Sequence, residues 1–407
     1  MAYHEGLIHP KEYDIKDSNV ELIGSDLDHR VKYNSAATEP AWQDGRIGQQ
    51  PCLLVWRIEN FEVIPQPAEN RGEFFNGDSY IILHSQSIKT NSRDDAAQHL
   101  THDIFFWLGS KTTQDEAGTA AYKTVELDEF LGGAATQHRE LEQAPSDEFL
   151  ALFPRVTVRV GGVASGFRHV EAGETSAERQ REGIRMLLRI YRPANQGAVL
   201  VYEVEPTWES LDEGDVFVLD VGTKIWVWQG ATSSPMEKAK AAQVVHDMTQ
   251  AKHVDVEVLS QTESRSRLIV KMLGGGDDSA WPTLSRKRPV VASSRRSPEH
   301  RRARRLFRLS DASGELSFEQ VNEGSSISAS DLDGDDVFVL DDEGKTIWVW
   351  VGSNASKAER ALWLKVAQSY VRRVQASMED TEAYLTPIAK VKQGHETASF
   401  RRAIPVA

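Results

Sequence analysis

One pattern occurs three times in this 407-residue chain, and it limits the fold more than any other feature. The first copy reads Asn76-Gly77-Asp78-Ser79-Tyr80-Ile81-Ile82-Leu83, then His102-Asp103-Ile104-Phe105-Phe106-Trp107-Leu108-Gly109, then Thr113-Gln114-Asp115-Glu116. The second reads Gly214-Asp215-Val216-Phe217-Val218-Leu219-Asp220, then Lys224-Ile225-Trp226-Val227-Trp228-Gln229-Gly230, then Ser234-Pro235-Met236-Glu237. The third reads Asp335-Asp336-Val337-Phe338-Val339-Leu340-Asp341, then Thr346-Ile347-Trp348-Val349-Trp350-Val351-Gly352, then Ser356-Lys357-Ala358-Glu359. Each copy is an acidic turn, a strand, a second strand ending in Gly, and a helix start. A repeat of this length marks a tandem array of domains. It also sets an Asp and a Glu at matching points three times. The chain length, at about 100–150 residues per domain, gives the same count.

The surroundings of the repeats divide the chain. Residues 1–50 are polar and aperiodic and read as an extended arm. Pro51-Cys-Leu-Leu-Val-Trp-Arg-Ile, Arg185-Met-Leu-Leu-Arg-Ile-Tyr and Arg304-Arg-Leu-Phe-Arg-Leu each open a module with an apolar strand that carries Arg. The modules are placed at residues 51–170, 171–280 and 304–400. A basic linker, Ser/Pro-punctuated and expected to be flexible, fills residues 281–303. Thr113-x-x-Glu116, Ser234-x-x-Glu237 and Ser356-x-x-Glu359 are capping boxes. Pro235 sits at a first helical position, where its missing N–H costs nothing. Ala117, Ala120, Ala121, Thr124, Leu127 and Leu131 form an apolar stripe at helical spacing, and Gly132-Gly133 stops that helix. Strands followed by a long helix and closed by further strands, such as Val156–Val160, predict an α+β module with a mixed central sheet.

Composition narrows the function. The net charge of −14 argues against a general nucleic-acid binder. The one cysteine, Cys52, rules out an intrachain disulfide, suits a reducing cytosol and reads as buried and inert. Met1–Pro10 has neither a basic start nor an apolar core, so no signal peptide is expected, and no apolar run is long enough to span a bilayer. There is no phosphate loop, no metalloprotease helix, no nucleophile elbow and no paired-Cys zinc pattern. His99 and His102 read as loop or strand residues. Asp331-Leu-Asp-Gly-Asp-Asp is not an EF-hand loop, because its Gly falls early and a β run follows.

The repeated acids remain. Two readings fit them. Asp78, Asp215 and Asp336 suit turns, and Glu116, Glu237 and Glu359 suit capping boxes. A strand-edge Asp and a helix-start Glu, with backbone carbonyls beside them, also supply the oxygens that calcium takes. Threefold repetition of the pair supports the second reading.

These segments, together with Gly161-Gly-Val-Ala-Ser-Gly-Phe, Trp208-Glu-Ser-Leu-Asp-Glu-Gly-Asp and Asp26-Leu-Asp-His, resemble the gelsolin/villin family, and within it the three-module severin/fragmin group. The resemblance implies tandem gelsolin-like modules, each a central mixed β-sheet flanked by a long and a short helix. It implies a monomeric protein of the cytoplasm and cytoskeleton, not an enzyme, that severs actin filaments on calcium activation and caps their barbed ends. Its partners are then actin monomers and filaments, with no nucleic acid. An actin-binding scaffold of the same fold without severing is the alternative. The implied calcium ligands are Gly77, Asp78, Glu116 and Val163 in the first module. A second ion, shared with actin, takes Asp128 with the carbonyls of Gly133 and Ala135. Gly214, Asp215 and Glu237 follow in the second module, with a further ligand near Asp277 or Asp278. Asp335, Asp336 and Glu359 follow in the third. Actin contact falls on Tyr122, Asp128 and Phe167; the plainer reading of Tyr122 is an ordinary surface aromatic. Phosphoinositide lipids would meet Arg155, Arg159, Arg185, Arg189 and Arg192, a thin basic set for an anionic surface.

Overall fold

The structure, a computed structural model, describes residues 36–88, 99–163, 185–193, 198–251, 253–276, 302–377 and 383–405. Phe167, Asp277, Asp278 and the basic linker up to Arg301 lie outside them. The first module runs β1 (Cys52–Glu59), β2 (Glu62–Pro65), β3 (Glu73–Phe75), β4 (Ser79–Ile88), β5 (His99–Leu108), α1 (Gln114–Phe130), β6 (Ala135–Leu141), α2 (Asp147–Leu150) and β7 (Thr157–Arg159). The second runs β8 (Met186–Tyr191), β9 (Leu200–Val204), β10 (Val216–Asp220), β11 (Lys224–Gln229), α3 (Pro235–Ala251), β12 (Asp255–Ser260) and α4 (Arg267–Met272). The third runs β13 (Arg305–Ser310), β14 (Ser317–Glu323), β15 (Val337–Asp341), β16 (Ile347–Val351), α5 (Lys357–Ala376), β17 (Ile388–Lys392) and α6 (Ala398–Ala403).

The core of each module is three antiparallel strands closed by one parallel strand beyond the long helix. These are β1-β4-β5-β6, β8-β10-β11-β12 and β13-β15-β16-β17. The middle strands are covered on both faces. Val216–Asp220, Val337–Asp341 and Ile347–Val351 are therefore buried at every position and read as continuous apolar runs, without alternation. Edge strand β14, by contrast, carries Glu319, Gln320 and Glu323 to solvent. Helix α1 starts as its sequence predicts, with the Thr113 hydroxyl accepting the Glu116 N–H at 3.3 Å. It stops at Gly132 and Gly133, both at φ +73°, a backbone conformation that favours glycine.

The modules are not separate bodies. Strand β17 of the third pairs antiparallel with β6 of the first, Ala389 opposite His138. The result is a ten-stranded sheet in the order β14-β13-β15-β16-β17-β6-β5-β4-β1-β2. That order is a palindrome: equivalent strands stand at equal distances from the joint, as two copies meeting edge to edge require. A second sheet runs β12-β11-β10-β8-β9-β7-β3, so two short strands of the first module extend the sheet of the second.

Three expectations change. Val156–Val160 does not close the first module's own sheet; β7 pairs with β9 and β3, and β6 takes the closing place. The extended arm ends before residue 50, because Trp42 is fully buried, edge-on to Trp56 at 5.1 Å, and donates its indole N–H to Glu126 on α1 at 3.0 Å. The basic linker also ends early. Arg302 is buried and bridges Asp341 at 3.0 Å; Asp341 also accepts the Tyr370 hydroxyl at 2.7 Å and the Gly344 N–H at 2.8 Å. Arg304 lies 3.6 Å from Asp342 and Arg305 3.3 Å from Glu323, so these three cations serve the third module itself. Cys52 is half-buried, and burial pushes its thiol up.

Arg302→Ala is expected to cost about 3–5 kcal/mol, since it leaves Asp341 buried without its charge partner. Hydrogen exchange of β13 and β15 measures it; unchanged protection there would contradict the structural role given to Arg302.

Candidate functional site

The repeated acids are seated by the same backbone device in every module. The glycine that ends the second strand packs under the acidic turn. Gly109, Gly230 and Gly352 donate their N–H to the Asp78, Asp215 and Asp336 carbonyls at 3.0, 2.9 and 3.0 Å. Two residues on, Lys111, Thr232 and Asn354 donate to the Asn76, Glu213 and Gly334 carbonyls at 2.8, 2.9 and 2.9 Å. A Cβ on those glycines would lie 2.4, 2.3 and 2.2 Å from the same three carbonyl oxygens. Any side chain there would push the turn outward.

The turn sinks the aspartates beneath the start of the long helix. Asp78, Asp215 and Asp336 are 0%, 1% and 3% exposed, and Glu116, Glu237 and Glu359 are 5%, 4% and 1% exposed. Each Asp and Glu repel one another within their module. Burial pushes Asp78 up to about 6 against the opposing Val163 N–H. It pushes Asp215 up to about 6 against the opposing charge of Arg189. Glu116 and Glu359 are raised by burial as well. Glu237 and Glu359 are held at both oxygens, accepting the helix-capping N–H of Ser234 (2.7 Å) and Ser356 (3.0 Å) and the N–H of Arg192 and Asp311 (both 2.8 Å). Glu116 differs. Its carboxylate takes the Thr112 hydroxyl at 3.1 Å, and the Thr112 hydroxyl and the Thr113 backbone both oppose the burial that raises it.

The sequence-derived ligands of the first module are brought together. Gly77 donates to the Gly161 carbonyl at 2.8 Å, and Val163 donates to Asp78 Oδ1 at 2.9 Å, so residues 161–163 close over the turn. In the second module Gly214 is fixed by its N–H to Asp212 at 2.8 Å. In the third, the Asp335 side chain is exposed and accepts from Asn354 at 2.9 Å, which leaves only its carbonyl for a site. Among the described residues no three His, Cys, Asp or Glu side chains converge to hold a metal ion. A cation here would therefore draw on one Asp, one Glu and backbone carbonyls. That all-oxygen set, buried and with one arginine near two carboxylates in each module, fits calcium.

Asp128 lies at the far end of α1. Its oxygens accept the Ala135 N–H at 3.0 Å and the Gln137 amide at 2.6 Å, and Lys390 of the third module stands 3.4 Å away. Gly133 donates to the Asp128 carbonyl at 2.8 Å. Tyr122 is 46% exposed and lines a cleft of about 470 Å³ between α1 and α5, with Asp128, Gly133, Trp363 and Lys390. The basic residues assigned to lipid are engaged elsewhere. Arg155 pairs with Asp247, Arg159 with Glu73 and Glu203 at 2.7 Å, and Arg189 with Asp215 at 2.6 Å. Arg192 lies against Met236, and Arg185 packs beside Gly222. Sequence reasoning missed the roles of Arg57, Arg308 and Lys390. The Arg shared by the three opening strands was the signal for the first two; nothing local marks Lys390. Among the described residues no helix is long and apolar enough to cross a membrane.

Fold and site thus define a three-module array that buries one Asp/Glu pair per module. The gelsolin repeat matches residues 60–150, 197–267 and 319–401. Gelsolin-like protein 1 of Lumbricus terrestris is 37% identical over 98% of this chain and 99% of its own length. Severin of Echinococcus granulosus is 35% identical over 90% of this chain and 92% of its own. Gelsolin of Gallus gallus is 33% identical over 81% of this chain but only 40% of its own length. The chain belongs to the gelsolin family.

The folded-state values of Asp78 and Asp215 lie above the ordinary carboxylate value, so ionising them costs stability at neutral pH. That cost disappears as pH falls through about 6 towards 4. In chelator, Asp78→Asn is expected to stabilise the fold at pH 7.5 by up to about 3 kcal/mol, at about 1.4 kcal/mol per pH unit, and so to raise the melting temperature. The gain should vanish near pH 4. Differential scanning calorimetry at both values checks it, and an equal effect at the two would refute the assignment.

Proposed function

We propose that this chain is a calcium-activated actin-binding protein of the cytoplasm and cytoskeleton that severs filaments and caps their barbed ends. It acts as a monomer and as a binding machine, not an enzyme. The observation that carries the calcium part is the threefold burial of an Asp/Glu pair in a setting short of positive charge. Gly77, Asp78, Glu116 and Val163 would hold one ion, Gly214, Asp215 and Glu237 a second, and Asp335, Asp336 and Glu359 a third. Calcium would supply the positive charge that each pair lacks. Family membership supports the actin part, as does the exposed Tyr122 on α1 beside Asp128. In this reading Phe167 is a further actin contact, and the carbonyls of Gly133 and Ala135 join Asp128 in holding the ion shared with actin.

The chain's own residues supply the regulation. With β6 and β17 paired, the third module covers part of the α1 face and Lys390 stands beside Asp128. A partner that takes Tyr122 and Asp128 together favours separation of that joint, and favours it only by its difference in affinity for the two arrangements. Phosphoinositide binding at Arg155, Arg159, Arg185, Arg189 and Arg192 would have to break the acid pairs that three of them make.

Depolymerisation of pyrene-labelled actin filaments is expected to accelerate with the protein in calcium and not in chelator. Unchanged filament length in calcium would leave a scaffold and sink the severing reading. Asp128→Asn is expected to leave calcium binding by the isolated protein nearly intact while speeding release of actin in calcium. Equal release rates for the two proteins would rule out an ion shared with actin.

A further inference from the structure

One arginine stands at the same place in all three modules. Antiparallel register sets it opposite the residue two beyond the site aspartate: Arg57 opposite Tyr80, Arg189 opposite Phe217, and Arg308 opposite Phe338. What it does there differs. Arg189 reaches Asp215 Oδ2 through Nε at 2.6 Å and through a terminal nitrogen as well; it stacks on Tyr191 at 4.9 Å and is itself 5% exposed. Arg308 grips Asp336 Oδ2 through two nitrogens at 2.6 and 2.5 Å. Arg57 does not grip Asp78. It turns to Glu59, donating through Nε at 2.7 Å, and stays 3.7 Å from the aspartate.

The residue two positions after the arginine accounts for the difference. Side chains two apart on a strand share a face. That position is Glu59 in the first module, Tyr191 in the second and Ser310 in the third. Only the first offers a carboxylate to draw the guanidinium away. A charge-assisted hydrogen bond of this kind is about twice as strong as a neutral one, and in both modules the guanidinium converges on one oxygen, Oδ2. A divalent ion that takes Asp215 or Asp336 must displace the arginine from Oδ2 or share the carboxylate with it, and either way meets its positive charge.

We propose that Arg189 and Arg308 are built-in competitors of calcium at the second and third sites, and that Glu59 clears the first site by holding Arg57. This rests on the calcium sites proposed above. It adds that their affinities are graded by a cation and a carboxylate that are not ligands. At the first site the ion meets the Val163 N–H and the Tyr80 hydroxyl on the aspartate, not an arginine; at the other two it meets an arginine. Charge at Asp215 and Asp336 is therefore partly met by the protein itself, and calcium gains only the difference.

Calorimetric titration of the full chain with calcium tests the proposal, with no actin present. Arg308→Gln is expected to tighten one site about tenfold, the factor that follows if the arginine holds the carboxylate about nine-tenths of the time. Glu59→Gln, made far from that site, is expected to weaken a different one, because Arg57 is released onto Asp78. Arg305→Gln removes a neighbouring cation that touches Glu323, not Asp336, and is expected to change neither. Arg308→Gln leaving affinity equal or weaker would overturn the competition. So would Arg305→Gln tightening a site as much, since net charge alone would then explain it. An unchanged Glu59→Gln titration would overturn the role of Glu59. Asp336→Asn separates the two readings. If it removes no site, calcium binding at the third module fails; if it removes one while Arg308→Gln has no effect, only the competitor fails.

Discussion

A carboxylate buried with too few positive partners is the constraint around which these modules are arranged. Removing an ion of that size from water costs several kcal/mol even after relaxation. The chain bears that cost at Asp78, Asp215 and Asp336, each nearly inaccessible at the head of an apolar strand. Partial compensation comes from different donors in each copy. Asp78 takes the Val163 N–H and, at 3.3 Å, the Tyr80 hydroxyl; Asp215 and Asp336 take arginine. In no copy does the Glu bring a positive charge with it. The glycine beneath the turn follows from the same demand. Only a residue without Cβ lets the strand end approach closely enough to hold the turn carbonyls while the side chain points inward.

The second determinant is an edge. Strand β6 and strand β17 each close their module by parallel pairing, and each would otherwise present a row of unmet N–H and C=O groups. Joining them antiparallel removes both edges at once and produces the palindromic strand order. It also sets the long helices α1 and α5 side by side on one face of the sheet. Lys390 and Trp363 consequently share a cleft with Tyr122 and Asp128. The same backbone pairing that stabilises the sheet thus sets Lys390 against Asp128 while Tyr122 stays exposed in the cleft. Hydrogen bonds along an edge are individually modest, about 1 kcal/mol net. The backbone joint is three residue pairs, Ile388 with Arg139, Ala389 with His138 and Lys390 with Gln137.

The sequence made the repeated parts legible, and the reason is locality. Capping residues, continuous apolar strands and helix-stopping glycines all act within a few residues, and Thr113, Ser234 and Ser356 cap the helices they head. The acids were legible because repetition gave them weight that a single copy lacks. What was not legible depends on distant partners. Trp42 reads as part of a polar arm until it is seen against Trp56 and Glu126. Arg302 reads as one more basic residue until Asp341 is found buried beside it. Strand β7 has the pattern of a closing strand, but nothing in Thr157–Arg159 says which sheet it will close. The β6–β17 joint involves residues about 250 positions apart, and no short-range signal encodes it.

Departures from a repeat are as informative as the repeat, because three copies within one chain share temperature, solvent and fold. Where Arg57, Arg189 and Arg308 hold one position, any difference in their contacts must come from what surrounds them. Glu59, Tyr191 and Ser310 stand next to them on the same strand face, and only Glu59 can accept charge. Asp335 in place of Gly214 or Gly77 is a second departure. Its side chain is turned to solvent and bound to Asn354, so the backbone of the turn keeps its course and the substitution is absorbed at the surface. The first departure moves a charge relative to the buried aspartate of the module; the second does not. By that criterion the strand that opens each module, not the acidic turn itself, is where the three copies have diverged in chemistry.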